Sequence, residues 1–348
     1  MFPKSLLKFN YAGMNRHQWL ALRRKVGGRS VNDDFVRFGG SDVGIILGLS
    51  DWTSKGSFFY ELMGIKQKES SLNPHTYRGI QTEEVIVKGW WEYFDPEHPE
   101  IATLMSNWAS GNVIRKAQRA HAVLVNPKYD FLMANIDYVV RKQLGYQKRI
   151  LEIKNMLWSA LEKWENDLPP YYITQPQTYM LVTGYVEAEV FVLKDTTYPL
   201  SFPMKAEKEI QEAILDETSS FAASVLECRK LIRNVTDTDE YWDIIHSFEP
   251  EPDGGEKYIQ FMKESHRPEN MLAELDMPEQ LVTLVEQYSL LKSQIGDEGQ
   301  RLADMEGIIR KFFNDHKAQK FTHKGVNISW KTRLNIPKNF HKKIQEAE

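Results

Sequence analysis

Apolar residues recur along most of the chain at the two spacings that separate helices from strands. A recurrence every three or four residues is typical of a helix with one buried face. That spacing predicts helices over residues 15–25, 41–49, 82–94, 172–183 and 205–233. Strand-forming sequence occupies residues 131–140, 149–156 and 187–193. Strands interleaved with helices predict an α/β fold, in which a short mixed sheet is flanked by helices.

The last third of the chain has a different pattern. Apolar positions from Leu281 to Phe312 step by three and four residues, with one gap of seven residues at Glu298. That spacing is typical of a heptad seam, and its phase continues across the gap. We therefore expect one long kinked helix, followed by a β-hairpin over residues 321–334 that turns at Lys324 and Gly325.

An acidic segment separates these two regions. Residues 237–256 contain eight acids and no lysine or arginine, and Pro250, Pro252, Gly254 and Gly255 lie within them. Proline, glycine and like charges favour a linker. The sequence predicts one domain over residues 1–235, a linker over 236–256 and a helical and hairpin extension over 257–348.

Composition narrows the class of protein. The 348 residues carry a net charge of −4, so a role with nucleic acid needs a local basic patch. Residues 114–149 carry eight basic residues against two acids, and residues 311–348 carry nine against three. Either block can attract phosphate, or it can be an ordinary solvated surface. The single cysteine, Cys228, excludes an intramolecular disulfide, and no apolar run has the length of a signal peptide or of the ~20-residue span of a membrane. We therefore expect a cytoplasmic protein without a membrane association.

The candidate chemistry lies on the two central strands. Residues two apart on a strand face the same side, so Glu152 and Lys154 project together. Asp137, on the neighbouring strand of a predicted hairpin that turns at residues 143–146, can reach that face. Carboxylates are ligands that Mg²⁺ prefers, and a nearby ammonium can acidify or orient a water. The alternative is an exposed, salt-bridged sheet edge.

Two further side chains favour the interpretation as a metal site over that as a salt-bridged sheet edge. Glu83 is expected on the first turn of a helix, where a carboxylate can approach a metal. Gln175 is expected at the start of another helix, where its amide can serve the site or simply cap the helix.

Several motifs in one order carry a resemblance to a known family. They are W-x-x-x-R (Trp19, Arg23), G-G-S-D (Gly39 to Asp42), G-x-x-x-E (Gly79, Glu83), N-x-D (Asn135, Asp137), E-x-K (Glu152, Lys154) and Y-x-x-Q-x-Q-x-x-M-x-V-T-G (Tyr172 to Gly184). This order resembles the YqaJ-type viral recombinases, which are related to phage lambda exonuclease within the PD-(D/E)xK nuclease superfamily. The resemblance covers roughly residues 15–235. It implies a restriction-endonuclease-like core.

The resemblance also implies roles for the matching residues. Asp137 and Glu152 would bind the catalytic metals together with the Ile153 carbonyl, and Glu83 would be a further ligand, direct or through water. Lys154 would position or activate the attacking water, and Gln175 would hold the geometry. The 5′-phosphate and DNA-binding residues would be Arg23, Ser41 and Asn135.

The implied activity is hydrolysis of linear double-stranded DNA from its 5′ end. It would depend on Mg²⁺, of which the family suggests two ions, with Mn²⁺ as a substitute. The partners would be DNA ends and a single-strand annealing protein, and the family suggests a homo-oligomeric ring, a trimer, in the cytoplasm of a bacterial host of a phage or prophage. Rival interpretations are an endonuclease or repair nuclease of the same fold without end preference, and a DNA-end-binding scaffold whose site is spent. The chain departs from the family pattern between Arg23 and Ser41, where it is longer, and at Ile136, where the pattern has proline.

Overall fold

The computed structural model describes residues 2–66, 74–140, 148–156, 168–195, 197–252, 255–265, 274–295, 300–330, 334–336 and 340. These residues form two compact units. The first comprises Met1–Leu49 and Leu62–Lys230, and the second comprises Ser50–Glu61 and Leu231–Glu348. Each unit is described by itself.

The first unit combines helices with strands, and the second unit is mainly helical. The helices are α1 (Arg16–Gly27), α2 (Gly40–Ile46), α3 (Lys55–Leu62), α4 (Pro74–Gly89), α5 (Ile101–Ser110), α6 (Pro170–Thr183), α7 (Lys208–Ile232), α8 (Thr238–Phe248), α9 (Glu256–Ser265), α10 (Glu279–Ile295) and α11 (Gln300–Asp315). The strands are β1 (Leu7–Asn10), β2 (Ala117–Arg119), β3 (Ala122–Val125), β4 (Met133–Asn135), β5 (Tyr138–Val140), β6 (Arg149–Met156), β7 (Glu187–Lys194), β8 (Tyr198–Lys205), β9 (Leu275–Asp276), β10 (Lys320–His323), β11 (Val326–Trp330) and β12 (Leu334–Asn335).

A five-stranded mixed sheet is the centre of the first unit, in the order β2-β5-β6-β7-β8. Strands β6 and β7 are parallel, and α6 is the helix between them in the chain; the other neighbours are antiparallel. On one face Leu151, Ile153 and Phe191 pack with Trp91 in a buried apolar cluster. Burial of large apolar side chains on that face stabilises the sheet against its helices. The predicted α/β class is confirmed.

A smaller antiparallel sheet, β1-β3-β4, lies beside the amino-terminal helices in the same unit. Helix α1 begins at a reciprocal cap, in which Asn15 accepts from the Gln18 backbone and the Gln18 side chain accepts from the Asn15 backbone. It ends at Gly28, whose φ of 58° is left-handed and suits glycine. These two signals explain why the helix occupies the predicted segment.

The basic block at residues 114–149 is not simply a phosphate-binding surface or a solvated one. Arg115 is buried and donates two hydrogen bonds of 2.9 Å to the carboxylate of Glu189 on β7. The Trp91 indole N–H and the Ser201 hydroxyl also donate to Glu189, at 3.0 and 2.9 Å. This part of the block is a buried polar centre of the sheet, because a buried guanidinium needs a carboxylate partner.

The second unit corrects two predictions about the carboxyl-terminal region. Most of the segment expected to be a linker is helix α8, which Asp237 caps by accepting from the backbones of Asp239 and Glu240. Three of the acids that suggested a solvated linker, Asp239, Glu240 and Asp243, are exposed on an amphipathic helix that buries Ile245. The Glu249 carboxylate is instead buried, 2.7 Å from the Lys311 ammonium. The boundary between the two compact units falls between Lys230 and Leu231.

The expected single long helix is instead two helices, α10 and α11, which pack against each other. A heptad spacing describes a buried stripe on either arrangement, so it could not distinguish one helix from a helical pair. The predicted hairpin is confirmed: β10 pairs antiparallel with β11, and Lys324 and Gly325 turn with φ of 45° and 75°.

Two remaining predictions meet the structure only in part. Antiparallel pairing of β5 with β6 is observed, but the expected turn at residues 143–146 lies outside the described residues. Within the described ranges, no helix has the length and apolar character needed to span a membrane.

Candidate active site

The predicted acidic and basic side chains of the central strands meet at one place. Lys154 donates a hydrogen bond of 2.7 Å from its Nζ to Oε1 of Glu152, its neighbour on the same face of β6. Asp137 directly precedes β5, and its Oδ2 accepts a hydrogen bond of 3.1 Å from the backbone N–H of Ile153. The antiparallel pairing of β5 with β6 therefore brings Asp137 beside the Glu152–Lys154 pair.

Helix α6 contributes Gln175 to the same cluster. Its Nε2 donates to Glu152 Oε1 at 2.6 Å and its Oε1 accepts from Lys154 Nζ at 3.2 Å. Gln175 lies in the second turn of a helix that begins at Pro170, so the simple capping interpretation is wrong. The amide fixes both members of the ion pair, since it donates to one and accepts from the other.

Glu83 approaches the cluster from α4. It lies in the third turn of this helix, not in the first turn as predicted, because α4 begins at Pro74. Asn155 Nδ2, on β6, donates a hydrogen bond of 2.8 Å to the hydroxyl of Thr82, the residue before Glu83, and this bond joins α4 to β6. Glu83 Oε1 lies 3.2 Å from Nη2 of Arg119 on the edge strand β2.

Burial raises the pKa of each of the three carboxyl groups in this cluster. Burial, and after it the negative charge of Asp137, raises the pKa of Glu152 to about 8 and that of Glu83 to about 7. Burial also raises the pKa of Asp137, against the opposing effect of Lys154. For Lys154, burial lowers the pKa, but Glu152 and Asp137 raise it by more, so this ammonium stays protonated at neutral pH.

The donor set fits a divalent cation. Glu152 Oε2 is buried and has no hydrogen-bond partner, so this oxygen is available as a ligand. The described residues contain no group of three acidic, histidine or cysteine side chains gathered closely enough to hold a metal together. Asp137 and Glu152 stay the predicted direct ligands, and two carboxylates are a number that Mg²⁺ commonly takes from a protein. The roles of Glu83 and of the Ile153 carbonyl also stay predictions.

The candidate phosphate pocket is formed in part. Arg23 Nη2, on α1, donates to the Ser41 hydroxyl on α2 at 3.4 Å. Asp42 is buried; it accepts from the Gly39 backbone at 2.8 Å and forms an ion pair with Arg29. Arg29 belongs to the longer segment between Arg23 and Ser41, so this segment anchors the start of α2. Asn135, at the end of β4, has a buried Oδ1 without a hydrogen-bond partner, and no contact joins it to Arg23 or Ser41 in the described residues.

Sequence reasoning missed three supporting features of the site. Arg119 was one charge among eight in a basic block, and nothing in the pattern paired it with Glu83. Thr82 and Asn155 each adjoin a predicted site residue, but their hydrogen bond joins elements more than seventy residues apart. Gly40 was noted only as part of a motif and Gly44 was not noted, although their spacing of four residues places both glycines of α2 on one helix face.

Those glycines let α2 approach α6 closely. A methyl group on Gly40 would lie 2.9 Å from the Gln175 Cα, and one on Gly44 would lie 2.5 Å from the Tyr171 ring. We expect Gly40→Ala to overpack this contact and push α6 away, which should lower the free energy of unfolding by about 1–3 kcal/mol. Because α6 carries Gln175, the variant should also be stabilised less by Mg²⁺. Urea unfolding with and without Mg²⁺ measures both effects. Gly89→Ala is the control, because nothing lies near its added methyl group; equal unfolding curves for the two variants would contradict the prediction.

The raised carboxyl pKa values predict how stability depends on pH. A carboxyl group whose pKa is higher in the folded protein holds its proton more tightly there, so its contribution favours folding at low pH and is lost as pH rises through the folded value. For Glu83 and Glu152 that loss runs from their ordinary value of 4.5 to about 7 and about 8. In chelator, the melting temperature of the parent should therefore fall relative to Glu152→Gln between pH 5 and pH 9. A gap that does not change over this range would exclude the raised pKa.

Comparisons with known proteins agree with this geometry. Residues 18–186 match the model of the YqaJ-like viral recombinase domain. The chain is 25% identical over 307 residues to YqaJ of Bacillus subtilis (strain 168), which covers 87% of this chain and 79% of that protein. Two solved structures are each 16% identical: the alkaline exonuclease LHK-Exo of Laribacter hongkongensis (TM-score 0.43, 62% of this chain and 96% of that one) and a phage-related exonuclease of Haemophilus somnus 129PT (TM-score 0.36, 57% and 96%). Residues 18–186, in which Asp137, Glu152 and Lys154 gather on a mixed sheet, are thus similar to the YqaJ-like viral recombinase domain.

Proposed function

We propose that this protein is a metal-dependent deoxyribonuclease that resects linear duplex DNA from the 5′ end and leaves a 3′ single strand. One observation carries the proposal: Asp137, Glu152, Lys154 and Gln175 converge on one buried polar cluster, with a free carboxylate oxygen on Glu152. A buried acceptor without a partner is costly, and a bound cation would supply the partner that this oxygen lacks.

The chemistry follows from the protonation states of these side chains. When bound, Mg²⁺ would acidify the attacking water and offset negative charge on the phosphodiester oxygens. Lys154 is protonated, so it acts as a hydrogen-bond donor that orients the water or a phosphate oxygen, and not as a general base. Glu152 Oε1 accepts hydrogen bonds from Lys154 and Gln175, which leaves Oε2 available to a bound cation. Gln175 prevents the pair from rotating.

The preference for a 5′ end rests on the contact between Arg23 and Ser41. A guanidinium beside a hydroxyl at the start of a helix is a suitable site for a terminal phosphate, since both are donors and the helix N–H groups add to them. Arg23 also lies 5.8 Å from the centre of the Trp19 ring, which limits the positions its side chain takes. Asn135 has a free oxygen but no contact to this pair, and we retain it as a predicted contributor to DNA binding.

The biological setting is inferred from the family match alone. We propose that the exposed 3′ strand passes to a single-strand annealing protein in phage-type recombination, in the cytoplasm of the bacterial host. We also propose a homo-oligomeric ring, a trimer, around the DNA, which would let a chain of net charge −4 hold a polyanion through a locally positive lumen.

The test is digestion of a linear duplex labelled at its 5′ or its 3′ ends, with Mg²⁺, with Mn²⁺ and with chelator. We expect early release of the 5′ label only, dependence on the metal, and faster release when the 5′ end is phosphorylated. Arg23→Ala and Ser41→Ala should remove the effect of the phosphate and leave slow cleavage. Early release of the 3′ label would reverse the proposed polarity.

A circular duplex in the same assay separates the rival functions. Cleavage of circles would favour an endonuclease or repair nuclease without end preference. Binding to ends without any cleavage in Mg²⁺ or Mn²⁺ would favour a scaffold whose site is spent. Cleavage of linear DNA only supports the exonuclease.

A further inference from the structure

Arg119 lies at the edge of the catalytic cluster and has no role in the chemistry described so far. It is the last residue of β2, the strand at one edge of the five-stranded sheet, and it pairs in register with Tyr138, the residue after Asp137. The backbone N–H of Ala120 donates to the Asp137 carbonyl at 3.2 Å. Backbone pairing thus fixes Arg119 close to one of the predicted metal ligands.

The contact between Arg119 and Glu83 leaves most of the guanidinium unused. The two groups are 3.2 Å apart, but Glu83 Oε1 has no hydrogen-bond partner, so the N–H groups of Arg119 are not aligned on it. The structure records no hydrogen bond from this guanidinium within the described residues. Its side chain is 35% exposed. An arginine has five N–H donors in a planar fork, so several of them face solvent beside the cluster.

The negative charge of the cluster would repel a DNA phosphate unless a cation beside the cluster offsets it. A phosphate that approaches the metal site meets the carboxylates of Glu83, Asp137 and Glu152. Lys154 already donates to Glu152 and Gln175, so its hydrogen-bonding capacity is largely taken. Arg119, which favours the charged form of Glu83, is a second cation acting on the cluster, and its side chain is 35% exposed against 21% for Lys154.

We propose that Arg119 binds a backbone phosphate of the DNA strand being cut and, through the same guanidinium, holds Glu83 in position. This inference rests on the proposed nuclease function and adds a substrate-binding residue to it. The planar fork of arginine suits the paired oxygens of a phosphodiester, which one ammonium group matches less well.

The experiment measures binding of a blunt, 5′-phosphorylated duplex by fluorescence anisotropy over a salt series, with Ca²⁺ in place of Mg²⁺ to prevent cleavage. Removing one phosphate contact weakens binding at every sequence and lowers the salt slope by about one. We expect Arg119→Ala to weaken binding about tenfold with that change of slope. Arg119→Lys should keep the parental slope at reduced affinity, because it keeps the charge and loses the fork.

Two further variants separate a phosphate contact from a purely structural role. Lys208→Ala removes one charge from a side chain that is 85% exposed on α7, and it should behave as the parent. If Arg119→Ala keeps the parental slope, or if Lys208→Ala lowers the slope as much as Arg119→Ala does, the phosphate contact is excluded. Arg119→Gln, checked by thermal unfolding, provides the same comparison if the alanine variant does not fold.

The outcomes distinguish this inference from the proposed function. A parent that cleaves linear DNA while Arg119→Ala binds with an unchanged salt slope overturns only the role of Arg119. A parent that never cleaves DNA overturns the nuclease, whatever the slope of Arg119→Ala.

Discussion

Lys154→Ala should lower the rate of DNA cleavage by about 10²–10⁴-fold, the range expected when one positioned donor or proton-transfer group is lost. The ammonium is the cation shared by Glu152 and Asp137, and it is the donor nearest the place where the water must be oriented. Without it the two buried carboxyl groups repel each other and retain a proton more readily, so the affinity for Mg²⁺ should fall as well. Single-turnover cleavage and calorimetric titration with Mg²⁺ measure the two effects.

The control is Lys230→Ala, which removes the same group from a side chain that is 73% exposed on α7. It should cleave at the parental rate. Lys154→Arg should recover part of the affinity for Mg²⁺, because the positive charge returns, but little of the rate, because the donor is displaced. A Lys154→Ala protein that folds, binds Mg²⁺ and degrades DNA as fast as the parent would show that the assigned role is wrong.

Glu189→Ala should be the most destabilising single change in the first unit, at about 3–5 kcal/mol of unfolding free energy, as expected when a buried charge loses its partner. Its carboxylate accepts two hydrogen bonds from Arg115 and one each from Trp91 and Ser201. The substitution removes this carboxylate from the Arg115 guanidinium, which lies buried against the Trp91 ring, 4.2 Å from its centre. Urea unfolding followed by circular dichroism measures the change.

Glu187→Ala is the matched control, since Glu187 lies two residues earlier on the same strand. Its carboxylate is 26% exposed and lies 3.9 Å from Arg149, an arrangement worth about 0–1 kcal/mol. Replacing both Glu189 and Arg115 by methionine should recover much of the lost stability, because the buried Arg115 guanidinium is then removed together with its carboxylate partner. A Glu189→Ala protein within 1 kcal/mol of the parent would exclude the buried pair as a determinant of the fold.

Local patterns predicted the elements of the first unit well. Helix α1 begins after the cap Asn15 and ends before the cap Gly28, close to the segment that the apolar spacing predicts. The alternation around Glu152 correctly predicted that Glu152 and Lys154 share one face of β6. These features depend on residues only a few positions apart, which is why a single sequence reveals them. The same spacing rules could not decide between one helix and two at residues 281–312, since both arrangements bury the same stripe.

The sequence by itself determined which residue types are available and which of them share a strand or a helix face: Glu152 with Lys154, and Gly40 with Gly44. Only the tertiary structure decided that Gln175 would join the ion pair, that Arg119 would stand against Glu83, and that Arg115 would be buried on Glu189. Each of these contacts joins residues far apart in the chain. Such contacts follow from the packing of α4 and α6 on the sheet, where burial favours polar groups that are paired. No local pattern in the sequence encodes which residues form these pairs.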